Sequence, residues 1–218
     1  MQRAFTLIEL LVVVAIIGIL SAIAVPNFLN AQTRAKVSSN IANMRTIFTA
    51  VNMMETDKQY LPIDVWDYQT EEGQAILRER FKGVGMRPAG QRTARDILAV
   101  LTSPVAYLSE IPGDAFLEGA GDASQRGYES ALDAFVYVDS DPKIPGFDME
   151  FFALKNSDQP FHEGDWAVVS VGPDGILGNR ETAEDNLARG VPYNPSNGLH
   201  SVGDIFIRCG GCVEGCDV

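Results

Sequence analysis

No cysteine precedes residue 209. The three in the chain are Cys209, Cys212 and Cys216, so nothing in the main domain can be disulfide-stapled unless this tail folds back onto it. Basic residues are also scarce, with 17 Lys and Arg against 29 Asp and Glu, a formal net charge of −12. The deficit is uneven: 11 basic and 9 acidic residues lie through Leu108, net +2, and 6 and 20 lie beyond it, net −14. An acidic second half argues against nucleic-acid binding, which needs a basic surface. It is compatible with cation binding and with solubility outside a membrane. Gly-x-Ser-x-Gly, a phosphate loop and HExxH are all missing, which leaves an exported enzyme without a supporting residue. Low-complexity tracts and repeats of solenoid length are missing too.

Long apolar runs are lacking with one exception, and the chain is organised around it. Phe5 to Val25 holds about 21 residues and would span roughly 30 Å as a helix, the thickness of a bilayer's hydrocarbon core. Its only ionisable side chain is Glu9, placed where a charge costs several kcal/mol or more. The leader before it, Met1-Gln2-Arg3-Ala4, is short and basic. The remaining chain, about 190 of the 218 residues, suffices for one sizeable domain.

These residues resemble a prepilin, the amino-terminal signal of type IV pilins and type II secretion pseudopilins. The family pattern is a short basic leader, a small residue, a cut, then Phe-Thr-Leu-Ile-Glu and an apolar helix. The resemblance implies cleavage by a prepilin peptidase between Ala4 and Phe5 and N-methylation of Phe5. It also implies an assembly role for Glu9, paired with the terminal amine of a neighbouring subunit to set axial register. A buried carboxylate is far less costly beside an ammonium than alone. Pro26 falls where the family places a helix-kinking proline. The departure is Ala4, where the family usually has Gly; alanine is still small, and cleavage is expected. Two other readings of the run stay open. A secretory signal peptide would be cut after Ala22-Ile23-Ala24 and leave Val25 first, and a plain anchor would keep Met1.

Beyond Pro26, Phe28, Ala31, Ala35, Ile41, Met44, Ile47 or Phe48, Val51 and Met54 recur every three or four residues, the stripe of an amphipathic helix. Arg34, Lys36, Asn40, Arg45 and Asn52 are expected largely on its other faces. Because this pattern resumes at once, Pro26 should kink the helix rather than end it. The two halves predict a helix of about 53 residues, roughly 80 Å long. Its first half belongs in lipid or among sister helices, its second against a globular head. Tyr60-Leu61-Pro62 closes it, and the string from Met44-Arg45-Thr46-Ile47 to that point looks like the pseudopilin pattern. Short helices are predicted over 72–81 and 94–101, with a Gly- and Pro-rich break between them. Leu101 to Leu108 with Ile111-Pro112 resembles a segment common in pilin-like proteins, where it links helix to sheet.

From Ala134 the period becomes two. Ala134 to Val138, Glu150 to Leu154, Trp166 to Val171 and Asp204 to Arg208 read as strands of an antiparallel meander. The predicted class is α+β, pilin-like, a long helix laid on a small antiparallel sheet. The expected organisation is a leader over 1–4, the long helix over 5–58 with its transmembrane part over 5–25, and an extracytoplasmic head over 59–218. That head carries the meander at 134–208 and the cysteine-rich tail at 209–218.

Ser170-Val171-Gly172-Pro173-Asp174-Gly175 resembles a segment of major pseudopilins whose following loop binds calcium. Calcium takes six to eight oxygens held in a loop. Asp174, Glu184, Asp185 and Asp204 are the expected ligands, with Glu181, Asn179 and Asn186 nearby. The loop departs from the family's in length, and a solvated acidic loop with an ordinary Asp-Gly turn is the alternative. Tyr193 to Gly198, followed by Gly203-Asp204-Ile205, also looks familial, as a structural turn. Cys209, Cys212 and Cys216 have metal-like spacing but one ligand too few for structural zinc unless His200 or His162 joins. A disulfide with one thiol left over, or cysteines without a fixed role, ranks above that. His162-Glu163-Gly164-Asp165 reads as a surface turn.

The family resemblance thus implies a structural, non-enzymatic subunit of a type II secretion pseudopilus or type IV pilus-like filament. Its partners would be copies of itself, other pilin-like subunits, the prepilin peptidase and an inner-membrane assembly platform. Arg3 places the amino terminus toward the cytoplasm, with the head outside the bacterial inner membrane. The alternative is a single-pass anchored binding protein that does not polymerise.

Overall fold

Three threonines start three helices. The structure is a computed structural model and describes residues 6–64, 70–88, 91–117, 132–139, 165–175, 177, 193–194, 203–208 and 213–214. Helix α1 spans Leu7–Lys58, α2 Glu71–Phe81 and α3 Ala94–Leu98, the last continued by a 3₁₀ turn over Ala99–Leu101. Thr6, Thr70 and Thr93 accept the N–H of the third residue on, at 3.3, 2.9 and 3.3 Å. Each such cap satisfies a backbone donor that the first helical turn leaves over, worth about 1 kcal/mol. Gln59, at φ 61°, turns left-handed and stops α1 just before Tyr60-Leu61-Pro62. Pro26 lies inside α1 without ending it.

Among the described residues the head packs on the second half of α1. Val37, Asn40, Met44, Ile47, Val51 and Met54 are buried, a stripe at steps of three and four. The expected stripe began at Phe28, but Phe28 is 67% exposed, and Ala31 and Ala35 are exposed too. Among the described residues the first α1 side chain buried against the head is Val37. Asn40, expected on a polar face, is wholly buried. The α2 and α3 segments supply Leu77, Phe81, Ile97, Leu98 and Leu101 to the same core. Past the end of α1, buried Arg92 donates from Nη1 to the carbonyls of Ile63 and Asp64, both at 2.9 Å.

The sheet has strands β1 (Val136–Asp139), β2 (Trp166–Ser170), β3 (Ile205–Arg208) and β4 (Val213–Glu214), antiparallel and in that order. Val136 pairs with Val169, Ser170 with Ile205, and Phe206 with Glu214. Side chains alternate between two apolar faces. Tyr137, Trp166, Val168, Ile205 and Ile207 face the α1 core; Val136, Val138, Ala167, Val169 and Phe206 pack with Leu177 on the other side. Phe48 of α1 meets Trp166 at a ring-centroid distance of 4.9 Å. This α+β arrangement is the expected one, and β4 is an addition to the expected strands. The expected strand at Glu150 to Leu154 lies outside the described residues.

Candidate functional site

Glu9 sits in the first turn of α1, where a carboxylate meets the unsatisfied N–H groups and positive end of the helix. Thr6 holds it reciprocally. The Thr6 N–H donates to Glu9 Oε2 at 2.8 Å, the Thr6 hydroxyl donates to the same oxygen at 2.6 Å, and the Glu9 N–H returns to Thr6 Oγ1 at 3.3 Å. This is a capping box. Among the described residues Oε1 accepts nothing. The spacing Thr-x-x-Glu was a legible sign of it. Ala4 and Phe5, the expected cut and methylation site, lie outside the described residues.

What surrounds Glu9 is bare helix. The large apolar side chains from Leu7 to Leu29 are between 43% and 78% exposed. An 18-residue window here has a mean hydropathy of 2.9 and none of it is buried. A monomer in water rarely exposes so continuous an apolar surface, so lipid or other helices must cover it. The helix can therefore do two things chemically: occupy a hydrocarbon core, and offer one carboxylate oxygen at its end.

The lower half of α1 is locked to the head by a buried polar node that the sequence reading missed. Asn40 Nδ2 donates to Asp114 Oδ1 at 2.6 Å and to Ser170 Oγ at 3.0 Å, while Asn40 Oδ1 accepts from the Ala115 N–H at 3.0 Å. Asp114 also accepts from the N–H groups of Phe116 and Val171, at 2.8 and 3.2 Å. One amide and one carboxylate thus tie the helix, the 111–117 segment and the end of β2 together. The available signal was register: Asn40 stands four residues before Met44 and seven before Ile47, on the apolar stripe itself.

The four expected calcium ligands are only half in view. Asp174 lies in the Gly172–Gly175 turn and accepts from the Gly203 N–H at 3.1 Å, next to Asp204. Gly172, at φ 67°, lets the two chains touch; a Cβ there would stand 2.0 Å from the Gly203 carbonyl oxygen. Glu184 and Asp185 lie outside the described residues, as do Glu181, Asn179 and Asn186. Among the described residues no three His, Cys, Asp or Glu form a metal-holding group. Cys209, Cys212 and Cys216, with His162 and His200, also lie outside them.

The family model for the "Prokaryotic N-terminal methylation motif" matches residues 1–25. A similar protein is the type IV major pilin protein PilA of Myxococcus xanthus (strain DK1622), 33% identical over 212 residues, which cover 90% of this chain and 92% of that one. The type IV major fimbrial protein FimA of Dichelobacter nodosus is 46% identical over 57 residues, 26% of this chain and 36% of its own. The type II secretion system core protein G of Escherichia coli (strain K12) is 33% identical over 61 residues, 28% of this chain and 42% of its own. No solved structure matches. The motif at the amino terminus, the bare apolar helix behind it and a similarity that runs along nearly the whole chain make this protein a member of the type IV pilin family, a filament subunit with a prepilin motif.

Proposed function

We propose that this protein is the major subunit of a type IV pilus, cut between Ala4 and Phe5 by a prepilin peptidase, methylated at Phe5, and assembled through the apolar half of α1. The observation that carries this is the run from Leu7 to Leu29, whose large apolar side chains are uncovered by the protein's own head. A pilus is favoured over a secretion pseudopilus by the extent of the similarity to PilA, 90% of this chain, against 28% for the secretion core protein.

In this reading α1 waits in the inner membrane, leader inward and head outward, until an assembly platform lifts it. The capping box then has a use. Thr6 already satisfies Glu9 Oε2, which lowers the cost of keeping a carboxylate in lipid. Oε1 remains for the ammonium of a neighbouring Phe5, and the pair fixes the axial step between subunits. Around it, helix packing replaces lipid contact at little loss, since both are apolar.

The test is genetic and microscopic. Cells making the chain should carry surface filaments that shear off and contain it as their principal protein. Cells lacking it should be bald. Bald cells in both cases, with the protein monomeric in the membrane, would favour the anchored binding protein instead.

A further inference from the structure

Where α1 ends, its last turn, the end of α2 and the 100–107 segment enclose an open groove of about 360 Å³. Lys58, Arg80 and Lys82 line it together with Tyr60, Tyr107 and Val105, and its lining contains no carboxylate. The Arg80 guanidinium lies 5.3 Å from the Tyr60 ring centroid, and the Tyr60 hydroxyl donates to the Arg80 carbonyl at 3.4 Å, so the arginine is posed on an aromatic face. Lys58 pairs with Asp57 at 3.0 Å. Arg80 and Lys82 are exposed and meet no carboxylate among the described residues. Val105 beside them is 40% exposed. Aromatic rings with arginine and an apolar spot are enriched at interfaces, and the exposed positive charge beside them would attract an acidic partner.

We propose that this groove is a docking site for a second copy of the chain, receiving an acidic segment from that copy's residues 109–218. The argument is charge complementarity. The groove offers two cations that meet no carboxylate among the described residues, Arg80 and Lys82, beside the Asp57-paired Lys58, and the chain's acidic surplus, net −14, lies wholly beyond Leu108. In a filament the same chain supplies both surfaces at high local concentration. Opposite charges brought together there offset the repulsion that stacking acidic subunits would otherwise cause. This deepens the preceding reading and rests on it: the apolar helices would hold the filament's centre, and the groove would set how the heads meet.

The test uses filaments sheared from cells making the full chain. A water-soluble carbodiimide joins amines directly to carboxylates in contact. Dimer-sized products should yield a peptide carrying Lys82 or Lys58 joined to an Asp or Glu of residues 109–218. Replacing both amines while keeping charge (Lys58→Arg with Lys82→Arg) should keep filaments and reduce that product at least about tenfold. Reversing charge (Arg80→Glu with Lys82→Glu) should lower filament yield about tenfold, with the loss shrinking as salt rises. Both side chains are exposed, so an unchanged melting curve of the detergent-held chain shows that the head still folds. Filaments in which those lysines stay unjoined and charge reversal changes nothing overturn the proposal alone. Filaments that instead retain added duplex DNA through Arg80 and Lys82 put a polyanion in the groove and overturn it too. A wild type that makes no filaments overturns the preceding reading, and this one with it.

Discussion

The two halves of α1 share one backbone geometry and differ in almost everything else. From Leu7 to Leu29 the apolar side chains face outward on all sides. From Val37 to Met54 they form one stripe, sealed under a sheet and two short helices, with a single polar residue among them. Neither Pro26 nor the change of partner interrupts the helix. The difference teaches that hydrophobicity in this chain does not mean core. Among the described residues the more apolar half contributes no side chain to the head's buried core. It is surface made for other molecules, and the less apolar half is what folds the protein.

Substitutions that break this contrast should act on assembly in one half and on stability in the other. The largest effect is expected for Glu9→Ala. Filaments should fall at least about tenfold by electron microscopy and shearing, since the uncompensated ammonium is costly in an apolar core, while the melting curve of the head stays put. Next is Met44→Ala, a fully buried position in the lower half. It should cost about 2–5 kcal/mol in denaturant unfolding of the detergent-solubilised chain. Its counterpart Ile16→Ala, 51% exposed, should leave that curve unchanged. Asn40→Leu should cost about 1–3 kcal/mol by the same measurement, because buried Asp114 and Ser170 and the half-buried Ala115 N–H each lose a partner.

The smallest effect concerns the lower end of α1. The Tyr107 hydroxyl donates to Asp57 Oδ2. That bond, and next the one from Lys58, hold the Asp57 carboxyl below its ordinary range; desolvation and then the same bond push Tyr107 up to about 12. A depressed carboxyl stabilises the fold above its unfolded pKa and loses that contribution as pH falls through the folded one. A raised phenol stabilises below about 10 and loses its contribution as pH climbs toward about 12. Tyr107→Phe should flatten both limbs of a melting-temperature profile against pH, by a small amount because Asp57 is exposed and Tyr107 only half-buried.

Much of this was legible in the residues. Period three-to-four marks α1 and period two marks β1–β3, and Tyr60-Leu61-Pro62 marked the end of α1 to within two residues. Glu9 stood out because a charge in an apolar run demands a reason. What stayed hidden has a common cause: it depends on contacts distant in sequence. Asn40 reads as a surface residue until Asp114 and Ser170 arrive from 74 and 130 residues away. Phe28 continues the apolar spacing yet is 67% exposed, and among the described residues burial of α1 begins only at Val37. The two-residue β4 carries too little pattern to be seen without β3 beside it. The groove at the end of α1 draws on Lys58, Arg80 and Val105, which no local period connects.

The claim beneath all of this is that sister helices, with Phe5 at their head, cover the exposed half of α1. The most direct measurement is the intact mass of the subunit taken from native filaments. The expected result is a chain beginning at Phe5, lacking Met1 through Ala4 and carrying one added methyl group. A subunit that keeps Met1, or one that begins at Val25 and so lacks the apolar half altogether, would contradict it.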